Sequence, residues 1–274
     1  MRFRLRRSHW LCVLLLAASG ASVGAGDIQR GQAIFELANC YSCHTDSDND
    51  GAPLAGGREL KTPFGIFVTP NISPDRASGI GDWTEQQFID ALSQGVSPAG
   101  EHYFPAFPYT SYRAMTRQDM TDLRAYLYSL PPQQQANKPH RLQWFVSRKL
   151  MGLWKWLNAR LSSAPAEYPS RGGYIVNALA HCGECHTPRN RLGMLDYSRS
   201  LKGNEELEAP DITPSNAQGI AAWSDDELVE FLRDGLYPDG DYVGGEMTEV
   251  VENSIQHWSE QDLDAVIRYL RGLK

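Results

Sequence analysis

Cys40-Tyr41-Ser42-Cys43-His44 ("CYSCH", 40–44) decides how the chain is read, together with its echo Cys182-Gly183-Glu184-Cys185-His186 ("CGECH", 182–186). A Cys-x-x-Cys-His run sets two thiols about one helical turn apart, with an imidazole directly after them. That spacing lets both thiols add to the two vinyl groups of one porphyrin, with the histidine under the iron as proximal ligand. Other uses of these cysteines fit less well. Four zinc thiolates leave His44 and His186 unexplained, two redox dithiols need no histidine after each pair, and cysteines three apart rarely close a disulfide. The motifs therefore predict two covalently attached haems of the c type. Cys40, Cys43, Cys182 and Cys185 form the thioethers, and His44 and His186 ligate the irons.

The N-terminus agrees with this chemistry. Arg2, Arg4, Arg6 and Arg7 precede an apolar core from Trp10 to Ala18, and Val23-Gly24-Ala25 offers small residues for cleavage. The pattern predicts a secretory signal over 1–25, too short for a stable membrane span, which would remove Cys12 and place the mature chain in the periplasm. An uncleaved N-terminal anchor is the alternative. Losing four arginines leaves 22 basic against 33 acidic side chains, a net charge of −11. Such acidity argues against nucleic acid and against direct attraction to an anionic membrane, and suits a partner with a basic docking patch.

The chain repeats itself. Residues 69–100 ("TPNISPDRASGIGDWTEQQFIDALSQGVSPAG") align without gaps on 209–240 ("APDITPSNAQGIAAWSDDELVEFLRDGLYPDG"), an offset of 140, and 115–127 matches 258–270 at 143. Thr84 and Ser224 read as helix N-caps, with acids and then apolar residues at helical spacing behind them. Thr116 and Ser259 cap the closing helices in the same way. No run alternates convincingly enough to predict a strand. The expectation is an all-α chain of two small helical domains, 26–132 and 170–274, joined by a linker over 133–169. Haem would supply much of the apolar core that such short domains lack.

Both halves resemble class I cytochrome c domains. The chain from about residue 27 to 274 is similar to the di-haem cytochromes c related to cytochrome subunits of bacterial alcohol and gluconate dehydrogenases. "CYSCH", "APLAGGRELKTPFG", "TPNISPD", "GIGDW", "YFPAFPYTSY", "HCGECHTPRN" and "EMTEVVENS" carry the likeness. Those subunits carry three haems and a C-terminal membrane-binding segment, whereas this chain stops after its second motif-bearing half. The resemblance implies electron transfer between a dehydrogenase donor and a cytochrome or oxidase acceptor.

It also implies a methionine on the far side of each iron. In the second half Met247 lies 61 residues after His186 and is the natural ligand; a thioether there raises the potential. In the first half the matching position is Phe107, which has no lone pair to give. Related sequences with an "AFPY" loop tend to carry a methionine slightly later, which points to Met115. His102 and an open site stay as alternatives, Met120 reads as core, and His140 and His257 lie in the linker and in the wrong half. An open first iron keeps a rival alive: a haem redox enzyme of thiosulfate dehydrogenase or peroxidase type.

The linker holds Leu142, Val146, Leu150, Leu153, Leu157 and Leu161 at helical steps, among Arg141, Arg148, Lys149, Lys155 and Arg160. It predicts an amphipathic helix, either clamped onto both domains or serving as a surface that docks a dehydrogenase or lies on a membrane. "TDSDNDG" (45–51) mimics the start of a calcium loop but lacks its closing glutamate. Trp83, Trp223, Arg58 and Arg189 are candidates to meet haem propionates.

Overall fold

The computed structural model describes residues 26–162 and 167–273. The expected signal over 1–25 lies outside the described residues, as do 163–166 of the linker.

The first half begins with α1 (Ile28–Leu37), opened by Asp27, whose carboxylate accepts the backbone N–H groups of Gln29 and Arg30. After Asn39, which is left-handed, comes α2 (Cys40–His44), the motif itself. A hairpin of β1 (Glu59–Thr62) and β2 (Gly65–Val68) leads to α3 (Glu85–Gln94), the single turn α4 (Tyr109–Tyr112) and α5 (Arg117–Ser129). The connection contains β3 (Arg141–Leu142) and α6 (Met151–Leu161). The second half runs α7 (Arg171–Tyr174), a π turn at Ile175–Leu179, α8 (Gly183–His186), β4 (Lys202–Asn204), β5 (Ala209–Asp211), α9 (Asp225–Asp234), α10 (Glu246–Asn253) and α11 (Glu260–Arg271).

Helix ends follow local chemistry in both halves. Thr84 and Ser224 form reciprocal capping boxes with Gln87 and Glu227, each worth about 1 kcal/mol. Gly95 and Gly235 end the same two helices with φ of 60° and 72°, where a side chain would be strained. Thr116 and Ser259 cap α5 and α11 by accepting the Asp119 and Asp262 N–H groups.

Each half closes by crossing its first helix on its last. A Cβ on Gly31 of α1 would sit 2.0 Å from the Asp122 carbonyl oxygen of α5, and one on Gly172 of α7 would sit 1.9 Å from that of Ala265 on α11. Only glycine permits that approach. Beneath these crossings the buried apolar side chains of both halves, from Ile34, Leu37 and Leu123 to Ile175, Leu179 and Leu270, form one continuous core.

Two expectations need correction. The fold is mainly helical but not all-α. β1 and β2 pair antiparallel with Thr62 opposite Gly65, and β3 adds Leu142 and Arg141 opposite Gly65 and Ile66. The Thr62 hydroxyl accepts from the Phe64 N–H and donates to the Gly65 carbonyl, and Gly65 has φ 119°. That turn closes a hairpin too short to show alternation. β4 and β5 form a second, smaller ribbon.

The linker helix is also shorter than its apolar stripe. It starts at Met151, because Arg141 and Leu142 are drawn into the sheet. Much of its stripe faces outward: Leu150, Leu153 and Leu161 are 54%, 56% and 65% exposed, Leu157 is half-buried, and the buried residue of the helix is Asn158. Polar anchors turn it this way. Lys155 Nζ donates to the Gln94 and Gly95 carbonyls at 2.7 and 2.6 Å, at the C-terminal end of α3, and Trp154 Nε1 donates to the Leu192 carbonyl at 2.7 Å.

Candidate functional site

α2 and α8 each hold one motif. Cys40 and Cys43 lie within α2, and Cys185 lies in α8 with Cys182 at its N-cap. None of the four is paired in a disulfide. Burial pushes the Cys40 and Cys182 thiols up to about 12 and that of Cys185 up to about 11.

The histidines at the ends of the motifs share one geometry. His44 Nδ1 lies 2.8 Å from the Pro70 carbonyl oxygen and His186 Nδ1 lies 2.7 Å from that of Pro210. A carbonyl oxygen only accepts, so Nδ1 carries the proton and Nε2 keeps its lone pair for a metal. Burial lowers both imidazoles from their ordinary value, more than the carbonyl raises them, which favours the neutral ligand form. Pro70 and Pro210 occupy matching places in the repeat, yet their role could not be read from it. Proline has no N–H, and here its carbonyl serves a side chain 26 or 24 residues away.

The other candidates divide. Met247 sits half-buried on α10, packed against the core. Met115 is buried, just before the Thr116 cap of α5, at the place matched by buried Trp258. Phe107 packs against the rings of Tyr103 and Tyr112 at 5.9 and 5.6 Å, and the Tyr112 hydroxyl donates to the Ala38 carbonyl at 3.1 Å. His102 is drawn toward α6, where Lys155 Nζ approaches its Nδ1 at 3.1 Å. Arg58 and Arg189 are both engaged by carboxylates: Arg58 reaches Glu246 and Glu249, and Arg189 reaches Glu184.

The residues fit a covalently bound haem. Each motif offers two thiols on one turn beside an imidazole of fixed tautomer. Each half also sets half-buried apolar side chains against the core, Ile72, Trp83 and Phe107 in one and Ile212, Trp223 and Met247 in the other. That is the apolar character a porphyrin face needs. Among the described residues no helix is long and apolar enough to cross a membrane.

Comparisons with known proteins agree. The cytochrome c family model matches residues 28–131. A di-haem cytochrome c-type protein of Cereibacter sphaeroides is 44% identical, over 90% of this chain and 86% of its own. The fructose dehydrogenase cytochrome subunit of Gluconobacter japonicus and the gluconate 2-dehydrogenase cytochrome c subunit of Pantoea cypripedii are each 36% identical. They match 92% and 90% of this chain but 54% and 59% of their own lengths. The chain thus spans little more than half of those dehydrogenase subunits.

Proposed function

The chain belongs to the cytochrome c family, and from that membership we propose a periplasmic di-haem carrier that relays single electrons from a dehydrogenase to a downstream cytochrome or oxidase. The observation that carries this reading is the recurrence of one proximal arrangement. Two Cys-x-x-Cys-His turns each present an imidazole whose Nδ1–H is held by a proline carbonyl. Cys40, Cys43 and His44 would hold one haem c in residues 26–132, and Cys182, Cys185 and His186 a second in residues 170–274. Once bound, each iron supplies reversible one-electron chemistry. The protein fixes the imidazole tautomer, keeps its Nε2 unprotonated and supplies a partly apolar surround. Met247 would close the second iron from the far side and Met115 the first.

The dehydrogenase partner is drawn from the relatives' names and from the acidic surface, with a net charge of −7 over the whole sequence. One observation favours a second reading, a redox enzyme working at an open first iron: Phe107 stands where the other half has Met247. Near-infrared magnetic circular dichroism of the oxidised protein beside Met115→Ala separates the two. Two methionine signals, falling to one in the variant, support the carrier. A single signal unchanged by the substitution, with carbon monoxide or cyanide binding at the first iron, supports the enzyme.

A further inference from the structure

The turn that would attach the first haem is bonded to the helix that carries the second distal methionine. Ser42, between Cys40 and Cys43, is buried, and its hydroxyl donates to Asn39 Oδ1 at 2.7 Å while accepting Asn253 Nδ2 of α10 at 3.1 Å. The Ser42 carbonyl accepts Arg58 Nη1 at 2.8 Å. The same guanidinium forks onto α10. It pairs with Glu249 through both nitrogens, Nη2 reaching Oε1 at 3.0 Å, and with Glu246 at 3.1 Å. Glu246 and Glu249 stand one residue before and two residues after Met247. The Arg58 side chain is 12% and that of Glu249 30% exposed, so this arm of the fork works at reduced dielectric, whereas Glu246, 86% exposed, is screened by water.

α10 needs such a tether. It follows Gly244 and Gly245, and its N-cap Gly245 offers no side chain to hold the first turn. Arg58 is the external cation meeting the acidic start of that helix, and it approaches from the other half of the chain.

We infer that Arg58 is a positioning residue for the second iron site. It ties the first haem-attachment turn to α10 and holds Met247 in place against exchange with external ligands. The inference rests on Met247 being the second distal ligand. It assigns to a first-half side chain a control over the second centre that proximity to Cys43 would not suggest.

The test uses the holo protein with imidazole as the probe, since an external nitrogen base binds an iron only when its distal ligand lets go. Arg58→Leu and the near-isosteric Glu249→Gln should each raise the apparent affinity for imidazole at the second iron on the order of tenfold, the scale expected for a lost charge-assisted pair. The second centre's midpoint potential should move more than the first's, and Arg58→Lys should recover part of the effect. If both variants leave imidazole binding and the potential of the second centre unchanged, Arg58 is only a structural contact and the inference fails. An equal shift at both centres with a lowered melting temperature also overturns it. Met247→Ala keeps the two levels apart. If that variant retains the second methionine signal, the ligand assignment is wrong; if it loses the signal while Arg58→Leu changes nothing, only the positioning role is wrong.

Discussion

The first half and the second half hold their histidines alike and differ in the segments before their closing helices. On the histidine side the parts match one for one: a proline carbonyl on each Nδ1, capping boxes at Thr84 and Ser224, a glycine in each helix crossing. Even where residues change, the bonds return. The Tyr128 hydroxyl donates to the carbonyls of Ile80 and Trp83, and Arg271, at the matching position, donates to those of Ile220 and Trp223. In those segments α4 is one turn, Tyr109–Tyr112, with Phe107 before it, whereas α10 runs Glu246–Asn253 and carries Met247. Arrangements made by backbone groups tolerate many side chains, while a single side-chain donor atom depends on one residue.

Three matched substitution pairs and one single substitution probe that comparison. Removing the thiols of one motif, Cys40→Ala/Cys43→Ala or Cys182→Ala/Cys185→Ala, should halve the covalent haem, read by pyridine haemochrome and intact mass. Retention of both haems after either change would break the equivalence of the motifs. Gly31→Val and Gly172→Val should come next, because each Cβ would meet a backbone carbonyl that cannot step aside. A loss of about 3 kcal/mol or failure to fold is expected for both, measured by denaturant unfolding. Thr84→Ala and Ser224→Ala should cost about 1 kcal/mol each, and a clear inequality would show that one half leans harder on its middle helix. Leu153→Gln, on the outward face of α6, should change stability by less than about 0.5 kcal/mol, in contrast to any buried leucine of the core.

Much of this was legible in the sequence, because it depends on neighbours in the chain. The motif turns and the N-caps at Thr84, Thr116, Ser224 and Ser259 are all set within a few residues. The strands escaped notice because β1 and β2 are four residues each, and β3 joins them from far along the chain. The α6 stripe was legible in its period but not in its direction. Spacing fixes which leucines share a face, and Lys155 and Trp154 decide which way that face points. The Arg58 fork spans 191 residues, and no local pattern announces such a pair.

Trains of contact between the halves add to the shared core. The Ser111 hydroxyl donates to Glu184 inside the second motif at 2.7 Å, and the Tyr174 hydroxyl donates to Asp119 at 2.6 Å. An electron passing between irons bound at the two turns would therefore cross a gap set by covalent and packed matter, with no diffusive encounter in its path. Its rate would be a property of the fold, indifferent to added salt. Arrival from a partner and departure to the next would be the steps that ionic strength slows or speeds.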